Sequence, residues 1–194
     1  MAPSSADEPE RIVIGVTGHR ILTELDRVRA GVDEALARIE QAFPGRPLTV
    51  LSALAEGADR LVAQQILRRP GARLVVPLPL AKADYMADFA SPKSKQEFLS
   101  LLGRADEVVE LPPARAREHA YDAAGNYVLE HSNVLLAVWD GRPAQGQGGT
   151  GAIVARARER SLPLVWVHAG NRRPGTLEPT SLGAEQGMVT FERF

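Results

Sequence analysis

The sequence predicts an α/β fold, a single Rossmann-like, doubly wound, mostly parallel sheet with helices on both faces. Three observations predict it. Short runs of consecutive aliphatic residues recur along the chain, as strands buried on both faces require. Segments with apolar residues three and four apart, the helical spacing, separate them. Gly and Pro punctuate the joins.

The first strand is Arg11 to Val16, an unbroken apolar run after its arginine. A tight turn, Thr17-Gly18-His19-Arg20, leads to a helix from about Thr23 to Phe43. Leu25, Val28, Val32, Leu36, Ile39 and Phe43 share one of its faces. Pro44-Gly45 stops it. Leu48 to Ser52 is the second strand, turning through Ala55 to Ala58 into a helix that reaches Arg69. Arg73 to Pro77 is the third strand. Leu80 to Pro92 is a more polar connection, followed by a helix from about Ser94 to Arg104. Glu107 to Leu111 is a short strand, and Arg117 to His131 a helix. Val134 to Trp139 is the most apolar strand. A glycine-rich loop, Gly146 to Gly151, opens a helix running to about Arg160. Pro163 to Val167 is a further strand, 169–187 a Gly-, Pro- and Ser-rich loop, and Met188 to Phe191 a last short strand.

Composition narrows the function. The 194 residues suffice for one well-buried core and are few for two domains. Residues 1–10 are expected to be a disordered N-terminal tail, and 11–194 one domain. The net charge of −1 does not suit a protein that grips a nucleic-acid backbone, so nucleic acid is not an expected partner. There is no cysteine, which excludes disulfides and a thiol nucleophile. Histidines 19, 119, 131 and 168 lack metal-ligand spacing, and neither a metal nor a cofactor is expected. No apolar run approaches the ~20 residues of a membrane helix, so no membrane partner is expected and the location is read as cytoplasmic.

Right-handed crossovers gather the strand-to-helix loops at one edge of such a sheet, where ligands bind. Four of these loops carry candidate ligand-binding residues. In Gly148-Gly149-Thr150, glycines let backbone N–H groups approach an anion, the helix start adds partial positive charge, and Thr150 offers a hydroxyl and a cap. Thr17, Gly18, His19 and Arg20 form the first loop; Gly18 allows a positive φ or close approach, and the basic pair can meet a phosphate. Glu56 and Asp59 sit three apart at a helix start, where acids complement the dipole. Glu56 is also expected to accept hydrogen bonds from a ribose. Asp140 and Gly141 end the most apolar strand, as a turn or as part of the crevice wall. On the helix before that strand, Tyr127 and Glu130 share a face that looks toward a ligand or a partner. The chain carries neither Gly-x-Gly-x-x-Gly nor Gly-Lys-Ser/Thr, so it is neither an ordinary dinucleotide dehydrogenase nor a P-loop protein.

Taken together, Ile14 to Arg20, Ser52 to Asp59, Trp139 to Gly141 and Gly148 to Thr150 resemble the SLOG superfamily, over about Arg11 to Val167. Its members are Rossmann-like domains related to the LOG enzymes and the DNA-processing protein A family. The resemblance implies recognition of a nucleotide or a nucleotide-derived, ADP-ribose-like signal, in bacterial signalling or defence. LOG phosphoribohydrolases carry Pro-Gly-Gly-x-Gly-Thr-x-x-Glu, whereas the positions after Thr150 are Gly151, Ala152, Ile153 and Val154, none of them acidic. Ser52 to Asp59 is similar to the Ser-Gly-Leu-Ala-x-Gly-Ile-Asp stretch of the DNA-processing family, whose single-stranded DNA binding is the weaker alternative here. The expected function is therefore binding of a nucleotide-derived small molecule. The enzymatic alternative is N-glycoside hydrolysis or transfer on a nucleotide, with Glu56 or Asp140 as its catalytic acid. A homo-oligomer is an open expectation without a sequence marker.

Overall fold

The computed structural model describes residues 10–144 and 149–194. The expected tail, all but Glu10, and Gly148 lie outside the described residues. The described residues form a seven-stranded sheet: β1 (Ile12–Gly18), β2 (Leu48–Leu51), β3 (Arg73–Leu78), β4 (Glu107–Glu110), β5 (Val134–Trp139), β6 (Leu164–His168) and β7 (Val189–Glu192). The spatial order is β4-β3-β2-β1-β5-β6-β7. Pairing is parallel except between β6 and β7, which is antiparallel. This is an α/β doubly wound, Rossmann-like fold with a mostly parallel sheet.

Strand composition follows from this order. β5 lies between β1 and β6 with helices over both faces, and every one of its residues is buried. Such a strand has no polar side and reads as a continuous apolar run. β4 is an edge strand and mostly exposed, with glutamates at both ends. Charge on an edge discourages pairing with another chain.

The helices divide between the faces. α1 (Leu25–Ala42), α2 (Ala58–Ile66) and α4 (Pro92–Leu102) pack on one, through Val28, Val32, Leu36, Val62, Ile66 and Phe98. α5 (Arg117–Glu130) and α6 (Thr150–Glu159) cover the other, through Val128, Leu129, Ile153, Val154 and Ala157.

Three features depart from the sequence expectation. The polar connection 80–92 contains a six-residue helix, α3 (Lys82–Ala87). Its Tyr85 is almost fully buried, in edge-to-face contact with Phe89 and Phe98. Helix α1 starts at Leu25, not Thr23, because Glu24 takes a left-handed conformation (φ 49°) at the N-cap. The loop 169–187 holds a short 3-10 turn, Gly183–Glu185, and the buried Gln186. Gln186 Oε1 accepts from the Gly170 and Leu182 N–H groups, and its Nε2 donates to the Thr23 carbonyl.

The chain runs outward from β1 to β4 and then returns to place β5 on the other side of β1. Connections leaving β1 and β5 therefore diverge, and a crevice forms at the C-terminal ends of these strands.

Candidate functional site

The β1 and β5 ends are in register, with Thr17 opposite Ala137 and Gly18 opposite Val138. Beyond them opens a crevice of about 320 Å³. The end of β1 contributes Val16, Thr17 and Gly18, followed by Arg20 from the turn. The β2–α2 connection contributes Ala53, Ala55 and Asp59. The start of α6 contributes Gly149, Thr150 and Ile153. Helix α5 forms a further wall with Glu118, Tyr121, Ala124, Gly125 and Val128. Gly125 lets α5 close on α6, since a Cβ there would lie 2.3 Å from the Ile153 Cδ1. Tyr85 of α3 completes the lining.

Six of the residues singled out from sequence thus meet at one crevice: Thr17, Gly18, Arg20, Asp59, Gly149 and Thr150. Gly18 is there for a different reason than expected. Its φ is not positive; instead a Cβ would lie 2.4 Å from the Ala58 Cβ and 2.7 Å from the Val138 carbonyl oxygen. Thr150 is the first residue of α6, with Gly149 (φ 83°) as the N-cap, and among the described residues no side chain caps this helix. The expected Thr150 cap is not made, and its hydroxyl accepts no hydrogen bond from the helix start.

Glu56, His19, Asp140 and Gly141 do not line the crevice. The Glu56 carboxylate accepts the Ala90 N–H at 3.0 Å and a short hydrogen bond from the Ser94 hydroxyl. It ties the start of α4 to the β2–α2 connection. His19 and Asp140 bind each other: Nε2 of His19 accepts the Asp140 N–H at 3.1 Å and lies 3.2 Å from the Asp140 carboxylate. Burial lowers the His19 pKa below the ordinary imidazole value, and Asp140 offsets part of that effect. The Asp140 carboxylate also accepts the Arg142 N–H, a turn of the kind expected. Gly141 packs against the Trp166 ring. Tyr127 stacks on His131, while Glu130 pairs with Arg160, so their shared face looks away from the crevice.

Asp59 is 7% exposed. One carboxylate oxygen accepts the Ser52 hydroxyl (3.1 Å) and the Ala55 N–H (3.3 Å). Burial pushes its pKa up to about 6, against the pull of Ser52, Ala55, Arg20 and Arg60. Arg20 extends over the Tyr121 ring, 5.4 Å from its centroid. Burial weakens its hold on the proton, but Tyr85, the Tyr121 hydroxyl and Asp59 outweigh this and keep the guanidinium charged. Tyr121 in turn donates a short hydrogen bond to Asp88, whose carboxylate also pairs with Arg117. Burial, then Asp88, raises the Tyr121 pKa, so the hydroxyl keeps its proton.

Sequence reasoning assigned no role to Tyr121, Tyr85 or Glu118, which line the crevice. Tyr85 lies in a segment without helical apolar periodicity, so no pattern marked it. A tyrosine one turn from a phenylalanine, Tyr85 and Phe89, is the faint signal available.

Arg20 and the α6 N-terminus supply positive potential, and Asp59 and Tyr85 supply polar groups. With the apolar wall of α5 they make a cleft suited to an anionic small molecule that also carries an apolar or aromatic part. The fold and this cleft define the class: a doubly wound α/β protein with a crevice at its topological switch point.

No family model matches the sequence, and no curated protein matches it. Solved structures similar to this chain include the following two. One is a molybdenum cofactor binding protein from the phototrophic bacterium Rippkaea orientalis: 15% identity, 84% of this chain and 78% of that chain covered, TM-score 0.49. The other is the structural-genomics target TM1055: 16% identity, 79% and 72% covered, TM-score 0.46. The sheet order and pairing, rather than these likenesses, carry the fold assignment. Among the described residues, no helix is long and apolar enough to cross a membrane, and no cluster of metal-ligating side chains occurs.

Proposed function

We propose that residues 11–194 are one SLOG-like domain that binds a nucleotide or a nucleotide-derived, ADP-ribose-like small molecule in this crevice. The observation that carries the reading is the pairing of two anion-attracting features with an apolar wall in one cleft. Arg20 and the α6 N-terminus, with Gly149 and Thr150, take the phosphates. The α5 wall, with Tyr121, takes the base or other apolar part. A role in nucleotide signalling or defence accompanies the SLOG resemblance. The cytoplasm is the compartment that offers such ligands.

The test is a thermal-shift panel of AMP, ADP, ATP, NAD, ADP-ribose and cyclic dinucleotides, on the wild type and on Thr150→Ala and Arg20→Ala. A ligand at 100 times its Kd adds about 2.7 kcal/mol of stability. We expect at least one hit, with the shift reduced in both variants. A panel without a hit, or a hit of equal size in both variants, overturns the reading.

A further inference from the structure

We propose that Asp59 and Tyr85 together form a subsite for the vicinal hydroxyls of a ribose, on the β2 side of the crevice. This rests on the nucleotide reading above and adds to it the chemistry of the sugar.

Two polar atoms that line the crevice have no hydrogen-bond partner among the described residues. Asp59 is 7% exposed and uses only one carboxylate oxygen, towards Ser52 and Ala55. Tyr85 is 1% exposed, and its hydroxyl makes no hydrogen bond among the described residues. Both residues line the crevice, and neither free oxygen is among the polar atoms sealed from solvent. The atoms reach solvent through the crevice itself. Two solvent-reaching polar oxygens on largely buried side chains, both lining one cavity, are placed to exchange water for the polar groups of a ligand.

Their chemistry selects the group. An ionised carboxylate only accepts hydrogen bonds, whereas a phenol both donates and accepts. Adjacent hydroxyls satisfy both: one donates to Asp59, the other exchanges a hydrogen bond with Tyr85. An ammonium group fits worse, because Arg20 and Arg60 already face Asp59 and repel a third cation. A phosphate fits worse still beside a carboxylate. The strand order puts Asp59 on the β2 side of β1 and the α6 N-terminus on the β5 side. These are two strand spacings of roughly 5 Å each, suited to a ribose and its 5′-phosphates.

The experiment is calorimetric titration of the whole chain with AMP and ADP, each against its 2′,3′-dideoxy analogue. The wild type is expected to bind the ribonucleotide roughly tenfold or more tightly than the dideoxy form, the effect of one charge-assisted hydrogen bond. Asp59→Ala and Tyr85→Phe should each cut this preference several-fold by weakening the ribonucleotide alone, with the far-UV circular dichroism unchanged. If Asp59→Ala does not fold, Tyr85→Phe decides. Equal affinity for both forms in the wild type, or equal weakening of both in the variants, overturns the subsite and leaves nucleotide binding standing. Failure of all four nucleotides to bind removes both.

Discussion

Helices α2 and α6 both start from a glycine with positive φ, Gly57 at 80° and Gly149 at 83°. Their surroundings differ. At α2 the chain covers its own helix end: the His19 carbonyl accepts the Ala58 N–H, and Asp59 adds a carboxylate to the first turn. A Cβ on Gly57 would lie 2.4 Å from the Arg20 carbonyl oxygen and 2.5 Å from that of His19. At α6, among the described residues, no side chain caps the helix, the first turn has no acid, and a Cβ on Gly149 meets nothing within 4 Å. A glycine before a helix is thus a packing necessity at one and an open approach at the other. The β1–α1 turn, lying across only α2, decides which.

The largest test of that contrast compares two alanine variants. Gly57→Ala combines a conformation reserved for glycine with overlap against fixed backbone, and should cost about 3–5 kcal/mol in urea unfolding. Gly149→Ala carries the conformational part alone, about 1–2 kcal/mol. Equal losses would show that the covering turn does not matter.

Next in size is Asp59. Its carboxyl titrates at about 6 in the folded protein, against about 3.9 in an unfolded chain. The folded state therefore holds that proton more tightly, and ionising Asp59 opposes folding. The penalty is absent below about pH 4, grows between pH 4 and 6, and is complete above that window. Asp59→Asn keeps an acceptor for Ser52 and Ala55 and removes the charge. It should stabilise the free protein by about 2–3 kcal/mol at pH 8 and by nothing at pH 3.5. A gain that ignores pH, or a loss at pH 8, would contradict this origin.

The smallest effect separates two acids three residues apart. Glu56 holds Ala90 and Ser94, whereas Asp59 opens on the crevice. Glu56→Ala should cost about 1–2 kcal/mol of stability while leaving the ligand-induced thermal shift in place. Loss of that shift with stability intact would return Glu56 to the ligand, where sequence reasoning put it.

The different placement of these two acids, both expected at the ligand, shows where sequence stops. Glu56 and Asp59 are equivalent as letters at a helix start. Which one the crevice receives depends on Ser94 and Ala90, more than thirty residues away. Tyr85 is similar, since its segment lacks a periodic apolar face and α3 is too short to make one. Arg20 lines the crevice, as expected of a basic residue in the β1 loop, because that loop leaves its strand at the sheet edge where the crevice opens.

From sequence alone came the α/β class, the strand and helix series, and the loops that line the sheet edge. These follow from local periodicity, which burial on both faces of a parallel sheet imposes on each strand separately. The strand order, the antiparallel β7, the crevice wall from α5 and the division of labour between Glu56 and Asp59 were decided by tertiary structure. Each depends on contacts between segments far apart in the chain, and the free energy of those contacts is written in no single stretch of residues.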